Sequence, residues 1–319
     1  MRKRALALAA LCVGIQTCRA QNVDEPPSTI RVVVPNPPGG AMDSLVRVLG
    51  ERVKAAHGAT IVVDNRPGAS TIIGSDIVAR APPDGGTLLM AASSFLVNPH
   101  IRTLPYDPLT SFAGVCELVE IPQVIAVNAR SPWNTLADLV DAAKKNPGKM
   151  TIGSNGPATA QHIVTEVFRR TAGIDMVYVP YPGGVPAVNA LMGQQIDSMT
   201  TAFSDLHAQW ETGALRVLAM SLAQRSPLAP DVPTFHESGF AFDLPSWLGL
   251  HAPAKTPASV RAKLEQWFSE ALAAPEVKPL LANMQMAGVG LCGAPFDALL
   301  RQQYDALGKI VREAGIKAE

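Results

Sequence analysis

Glycine and hydroxyl residues gather where β-like segments of this sequence turn into helical ones, and these junctions are the segments best suited to chemistry. The first is Pro37–Asp43, with the sequence PPGGAMD. Its glycines let the backbone approach a ligand closely, and the first N–H groups of a helix have no partner inside the helix. Such a terminus attracts an anion through these donors and the positive end of the helix dipole. A tight turn in which Asp43 stabilises the first helical turn would explain the same residues, and both interpretations stay open.

Two further junctions share this pattern. Ser154–His162 follows a β-like segment and offers the hydroxyl groups of Ser154 and Thr159, either of which could act on a ligand or only as a helix N-cap. Pro180–Gly184 contains Tyr181, whose ring could line a cleft or pack in a core. Ligands of open α/β sheets bind outside the carboxyl ends of the strands. The three junctions together therefore predict a cleft built from neutral donors, which favours a carboxylate.

Catalytic and metal-binding motifs are absent from the sequence. It contains no Gly-x-Ser-x-Gly, His-Glu-x-x-His or Gly-x-x-x-x-Gly-Lys-Ser/Thr segment. The six histidines are scattered, and no two of them have the i, i+4 spacing of a helical metal site. We therefore expect no catalytic residue, no metal and no cofactor, and an enzyme is the third-ranked hypothesis.

The elements around the junctions alternate between short β-rich runs and helical stripes, which is typical of βαβ units. The chain has 319 residues, more than one hydrophobic core usually serves, and 47% of them are hydrophobic. The sequence therefore predicts an α/β fold with two domains and mostly parallel sheets, and the proline-rich segment 226–233 is the best candidate for a crossing between them. Strands are expected at residues 30–34, 60–63, 87–92, 124–127, 150–152, 176–179, 196–200 and 215–220. Helices are expected near 42–53, 135–145, 160–172, 260–271 and 299–310.

The segment 1–20 has the order of an export signal. Arg2, Lys3 and Arg4 precede an apolar run over 5–15, and residues 18–20 (CRA) offer a small-x-small cleavage site. The run is too short to span a bilayer of about 30 Å. We therefore predict a cleaved signal peptide over 1–20 and a periplasmic protein. Cleavage removes four of the 27 basic residues and none of the 27 acidic ones, and the resulting mild acidity disfavours a nucleic-acid partner.

Two cysteines remain after this cleavage, Cys116 and Cys292. Export permits a disulfide bond between them, but nothing in the sequence sets their distance. Two separate buried thiols are the favoured interpretation, and a disulfide is the alternative.

Short segments with recognisable motifs run through nearly all of the mature chain. They are RVVVP (31–35), PGGAMD (38–43), DNRPGA (64–69), PDGGT (83–87), PGK (147–149), the junctions 154–162 and 180–186, QID (195–197), GALRVLA (213–219), PDVPT (230–234) and WLGL (247–250). In this order they resemble the Bug-type, or tripartite tricarboxylate transporter, periplasmic receptors. No one segment is diagnostic alone, but their number and order make the resemblance strong.

The resemblance implies a type II periplasmic binding fold, with two lobes that close on a ligand. We expect a first lobe of residues 21–122 and 225–319, a second lobe of 123–224, and the ligand cleft between them. The implied function is capture of a small carboxylate, which the Pro38–Asp43 and Ser154–His162 segments bind partly through waters. A monomeric receptor would deliver this ligand to the membrane permease subunits of an ion-driven transporter. An orphan sensor that docks on the periplasmic domain of a signalling protein is the alternative.

The ligand-binding residues that we expect come from both lobes. They are Pro38, Gly39, Gly40, Ala41, Asp43, Ser93, Asn98, Ser154, Ala158, Thr159, His162, Tyr181, Gly183 and Phe203. One departure from the family pattern is Pro182, which stands where the family usually has lysine. The site is therefore expected to lack that cation.

Overall fold

The computed structural model describes residues 25–156, 159–240, 242, 244 and 246–316. The predicted signal peptide and Ala158 lie outside these residues. In chain order the strands are β1 (Thr29–Val34), β2 (Thr60–Asn65), β3 (Thr87–Ala92), β4 (Phe112–Ile121), β5 (Gln123–Asn128), β6 (Thr151–Ser154), β7 (Val177–Pro180), β8 (Ser198–Ala202), β9 (Leu215–Met220), β10 (Ser246–Pro253) and β11 (Ala287–Cys292). The helices are α1 (Ala41–His57), α2 (Ile72–Ala79), α3 (Ser94–Ile101), α4 (Leu136–Lys145), α5 (Ala160–Ala172), α6 (Gly184–Met192), α7 (Phe203–Glu211), α8 (Ala258–Ala273), α9 (Val277–Asn283) and α10 (Ala294–Ala314). A short 3₁₀ turn, Ala69–Thr71, precedes α2.

The strands form two sheets, each flanked by helices. The first has six strands in the order β11-β4-β10-β3-β1-β2, and the second has five in the order β7-β6-β8-β5-β9. In the first sheet β1 pairs in parallel with β2 and β3, whereas β10 and β11 pair antiparallel with their neighbours. In the second sheet β6 pairs in parallel with β7 and β8, and β5 pairs antiparallel with β8 and β9. The predicted two-lobed α/β fold is confirmed, but both sheets are mixed and not mostly parallel.

The antiparallel strands arise where the chain passes between the sheets. Only Pro122 separates β4 from β5, so β5 starts at the edge of its sheet where β6, β7 and β8 end. Two neighbouring strands run parallel only when a crossover connection, usually a helix, returns the chain to the end of the sheet where the first strand began. A strand that enters directly from the other lobe has no such connection, and therefore it runs antiparallel to its neighbours. Strand β10 enters the first sheet in the same way and runs against β3 and β4.

Helix α1 shows why the periodic segments fold as expected. Its predicted apolar face, Met42, Leu45, Val46, Leu49 and Val53, is buried against the first sheet. Residues at i, i+3, i+4 and i+7 share one side of a helix, so this spacing gives a single stripe to bury. The helix ends at a glycine with left-handed backbone, where a side chain would be strained.

Helix α5 packs on both lobes. Val164 and Phe168 lie in the core of the second sheet, whereas Ile163 belongs to the apolar cluster of the first lobe that includes residues of α10. An ion pair of 2.8 Å between Arg170 and Glu313 joins α5 to α10 at the surface. The position of α5 is therefore fixed by contacts with both lobes.

The segment that follows β9 stays with the second sheet. Ala229 and Val232 pack in one core of that sheet and Phe235 in the other, and Thr234 forms a parallel bridge with Met220. The proline-rich segment 226–233 therefore packs on the second sheet.

A disulfide bond joins Cys116 to Cys292. The expectation of two separate thiols is wrong, because β11 pairs with β4 and places the two cysteines directly opposite each other. Their Cα atoms are 4.0 Å apart despite a separation of 176 positions in the sequence. Within the described residues, no helix is long and apolar enough to cross a membrane.

Candidate functional site

A cavity of about 330 Å³, lined mostly by residues with polar side chains, lies where segments of the two lobes meet. Its volume is at the small end of the range of ligand pockets, roughly 300–1,000 Å³. Ser93, directly after β3, lines it, as expected for a ligand site at the carboxyl end of a strand. The complete lining is Ser70, Thr71, Ala92, Ser93, Ser94, Asn98, Arg102, Thr159, Ala160, Gln161 and Ser246.

A larger cavity, of about 620 Å³, lies elsewhere in the molecule. It is bounded by α8, α9, β11 and residues 226–228, and its lining is mostly apolar. None of the described residues of the three predicted junctions reaches it. The larger volume of this cavity therefore does not make it the functional site. The smaller cavity is the better candidate, because it lies at strand ends and is lined mostly by polar side chains.

A strained turn forms part of the first-lobe wall. Ala69, Ser70 and Thr71 have φ angles of 46°, 52° and 77°, in the left-handed region that non-glycine residues rarely adopt. Such strain persists only where the surroundings impose it, and it is common at ligand sites. Here Asn98 Nδ2 donates to Ser70 O at 2.9 Å, and Arg102 Nη1 donates to Ser70 Oγ at 3.1 Å.

The rest of the first-lobe wall is held by hydroxyl and backbone contacts. The hydroxyl groups of Ser93 and Ser246 lie 3.1 Å apart, and the Ser93 N–H donates to Trp247 O at 3.2 Å. These contacts tie the start of α3 to β10, so the strand that enters from the second lobe helps to shape the cavity.

The start of α5 forms the second-lobe wall. Thr159 is its N-cap: the hydroxyl oxygen accepts from His162 N–H at 3.2 Å and donates its proton to Gly156 O at 2.9 Å. The N–H groups of Ala160 and Gln161 belong to the first helical turn, whose donors have no partner within a helix. Since both residues line the cavity, this wall offers an anion two backbone donors and the positive end of the α5 dipole.

Ser154 and His162 support this wall from behind. Ser154 is fully buried, and its hydroxyl lies 2.9 Å from the Tyr178 hydroxyl. The His162 ring stacks on the Tyr178 ring with centroids 4.3 Å apart, and burial lowers the pKa of His162. Neither residue lines the cavity, so a direct contact of either one with ligand stays a prediction.

The Pro37–Asp43 segment lies at the same edge of the first sheet but does not line this cavity. It follows β1, which pairs in parallel with β3, and Pro38, Gly39, Gly40 and Ala41 are exposed. Asp43 is almost fully buried and accepts from Gly39 N–H at 3.1 Å. It also accepts two bonds from Arg47, at 2.9 and 3.0 Å, and this guanidinium holds the pKa of Asp43 below its usual value. Asp43 thus stabilises the turn, as the alternative interpretation expects.

The remaining predicted residues lie on the second lobe away from the cavity. The Tyr181 ring packs over Gly153, where a Cβ atom would lie 3.2 Å from it, and joins one core of the second sheet. Gly183 precedes α6 with a φ of 123°. Phe203 is fully buried in the same core. Of the predicted residues that the structure describes, the cavity therefore brings together Ser93, Asn98 and Thr159.

Sequence reasoning missed the one charged residue of the lining, Arg102. The expectation of purely neutral donors is wrong at this point, because Arg102 reaches the cavity from the end of α3. No local pattern indicated this role, since the side chain contacts Ser70, 32 positions earlier. The expected binding residues also omitted Ser70, Thr71 and Ser246, which no local pattern indicated, and Gln161, although it lies in the predicted Ser154–His162 segment.

Two mixed α/β lobes, with a small cavity lined mostly by polar side chains where they meet, define a two-lobed ligand-binding protein. The model of the tripartite tricarboxylate transporter family receptor, TctC, matches residues 45–316, and the chain belongs to this family. The family that the sequence motifs resembled is thereby confirmed.

Similar proteins cover nearly the whole chain. The UPF0065 protein in the tcbD-tcbE intergenic region of Pseudomonas sp. is 35% identical, with 99% of this chain and 96% of that protein aligned. The structure of periplasmic binding protein BugD is 30% identical with a TM-score of 0.72, over 91% of this chain and 99% of BugD.

Two solved structures of similar proteins contain organic acids. One is an R. palustris protein with adipate, which is 27% identical with a TM-score of 0.73, over 91% of this chain and 98% of that one. The other is MatC from Rhodopseudomonas palustris with bound malate, which is 26% identical with a TM-score of 0.69, over 89% of this chain and 98% of MatC.

Proposed function

We propose that this chain is an exported periplasmic receptor that captures a small organic acid, a mono- or dicarboxylate, without transforming it. It delivers the acid to the membrane permease of a tripartite tricarboxylate-type transporter. One observation carries the proposal: among the described residues, the lining of the cavity at the lobe junction offers amide and hydroxyl donors and one cation, but no carboxylate. A cavity with this lining repels a cation and compensates the charge of an anion.

The energetics agree with a small acid. A carboxylate that leaves water needs its charge compensated. Hydrogen bonds to a charged group contribute roughly 1.5–3 kcal/mol each. Three or four such bonds, from the start of α5 and the opposite wall, would support micromolar binding, which corresponds to about −8.2 kcal/mol.

Similarity to known proteins supports the same class of ligand. The matched family is named for receptors of tricarboxylate transporters, and two similar proteins were solved with adipate and malate. We extend from these proteins to this one the carboxylate ligand, the periplasmic location and the permease partner.

The sharpest test removes one backbone donor at the start of α5. Ala160→Pro deletes the first N–H of the helix, a position where proline is well tolerated. The preceding Thr159 has the extended backbone, φ −82° and ψ 164°, that proline requires of its predecessor. The matched control is Ala258→Pro, the same change at the first residue of α8, where Pro257 is also extended.

Ligands for this test come from a thermal-shift screen of mono- and dicarboxylates, amino acids and sugars. A bound acid at a hundredfold excess over Kd should stabilise the fold by about 2.7 kcal/mol. Calorimetric titration with the best acid should show about a 10- to 150-fold loss of affinity in Ala160→Pro and none in Ala258→Pro. Stabilisation by sugars and by no acid would reject the proposed function, and normal affinity in Ala160→Pro would remove the start of α5 from the site.

A further inference from the structure

Arg102 differs from most other arginines of the described chain in what surrounds its charge. It is half-buried, and no carboxylate of the described residues lies within 4.0 Å of its nitrogens. Most other arginines pair with an acid, as Arg47 and Arg80 do within their own helices. The half-buried Arg216 also has no acid, but it donates to three backbone carbonyl groups. The other arginines of the described chain that have no paired acid are exposed and face solvent, and they are Arg130, Arg301 and Arg312.

The hydrogen-bond capacity of Arg102 is mostly unused. Within the described residues, its side chain makes one hydrogen bond, from Nη1 to Ser70 Oγ, a neutral acceptor. The Nε atom is shielded from solvent and has no partner among these residues. A guanidinium has five donors in a planar fork that fits a carboxylate, and a shielded cation without a counter-ion is unfavourable. The side chain therefore lacks an anion that the cavity has room to hold.

The side chain is held in place on the cavity wall. Its bond to Ser70 joins it to the left-handed turn Ala69–Thr71, and Asn98, one helical turn earlier, holds the same turn through Ser70 O. The Arg102 N–H donates to Asn98 O at 3.1 Å and ends α3. These contacts position the charge before a ligand arrives, which lowers the cost of binding.

We propose that Arg102 binds the second acidic group of a dianionic ligand whose first carboxylate lies at the start of α5. This inference rests on the proposed function and narrows the ligand class from organic acids in general to dicarboxylates. The two walls carry separate positive centres: a full charge on Arg102 and about half a charge at the start of α5. A monocarboxylate can occupy only one of these centres, and it leaves the other without an anion.

The test compares diacids with matched monoacids on folded protein. Succinate, glutarate and adipate are titrated beside their monoamides, which keep the chain length and lose one charge. The wild-type protein should bind the best diacid at least about tenfold more tightly than its monoamide. Arg102→Met should weaken diacid binding about 10- to 100-fold and change monoamide binding less than about threefold, which abolishes the preference.

Controls separate this inference from the proposed function. Arg80→Met removes an exposed arginine outside the cavity and should leave both affinities unchanged. If wild-type protein binds no acid of either kind, the proposed function fails. If it binds diacids and monoamides equally, or if Arg102→Met keeps the preference, the assignment of Arg102 fails and the proposed function stands. Equal wild-type affinities for the diacid and its monoamide refute the inference even if Arg102→Met does not fold.

Discussion

Removal of the disulfide bond should be the most damaging change outside the cavity. The bond joins the edge strand β11 to its neighbour β4, across 176 positions of sequence. In the chain-entropy model, a loop of this length restricts the unfolded chain by about 5 kcal/mol. Folded domains are stable by only about 5–15 kcal/mol in total. The double variant Cys116→Ala, Cys292→Ala should therefore lose a large part of its stability.

The position of β11 indicates which part of the fold should unfold first when the disulfide bond is removed. This strand lies at the edge of the first sheet, pairs with β4 alone among the described strands, and has an irregular register between Gly288 and Leu291. Leu272 of α8 and Leu281 of α9 lie against Gly288. Without the cross-link, we expect β11 and α9 to separate from the sheet at lower denaturant concentration than the rest of the first lobe.

The measurement is urea unfolding of the mature chain, followed by circular dichroism at one pH. Three samples are compared: oxidised wild type, wild type with reductant, and the double alanine variant. The two samples without the bond should agree and should unfold about 3–5 kcal/mol below the oxidised protein. Ligand affinity serves as the control, because neither cysteine lines the cavity. Losses below about 1 kcal/mol in both samples, or two free thiols in the unreduced denatured chain, would refute the reasoning.

Two further predictions concern a buried acid and export. Glu117 is 2% exposed, and burial, with a smaller effect of Glu120, raises its pKa to about 7. The stability that its protonated form contributes is present below about pH 4.5 and is lost as the pH rises through about 7. Glu117→Gln should therefore stabilise the protein by roughly 3 kcal/mol at pH 8.5 and by little at pH 4.5, as measured by thermal unfolding. Equal effects at the two pH values would contradict this. For export, N-terminal sequencing of periplasmic protein should begin at or near Gln21, and a full-length chain in the cytoplasm would contradict the signal peptide.

Elements with a clear hydrophobic periodicity could be predicted from the sequence. Strands that depend on pairing with segments far away in the chain could not. The strands and helices expected from periodicity are present. Strands β4, β10 and β11 were missed because their sequences are atypical of strands: β4 carries Glu117 and Glu120, β10 carries His251, and β11 is rich in glycine. Their pairing with one another joins segments far apart in the chain, so no local pattern reveals it. The disulfide was missed for the same reason.

The site was predictable only as far as topology determines it. Ser93, Asn98 and Thr159 were expected and line the cavity. Ser93 follows β3 of the first sheet and Thr159 follows β6 of the second, and ligands of open α/β sheets bind outside the carboxyl ends of strands. The contact between Ser70 and Arg102 was not predicted, since it depends on a turn with left-handed backbone at residues that are not glycine. The lobe limits at 122 and 224 stay a prediction, and we propose to extend the second lobe through Phe235, which packs in its core.

Helix α5 shows how residues remote from the cavity determine its geometry. Its first residues, Ala160 and Gln161, face the cavity, and one turn later Ile163 packs in the apolar cluster of the first lobe. No residue of α10 lines the cavity, yet α10 contributes to that cluster and to the ion pair at Arg170. The distance between the start of α5 and the guanidinium of Arg102 is thus set by an apolar contact between the lobes. In the binding mode that we propose, this contact, which involves no ligand, sets the spacing of the two positive centres and therefore the length of the diacid that can bridge them.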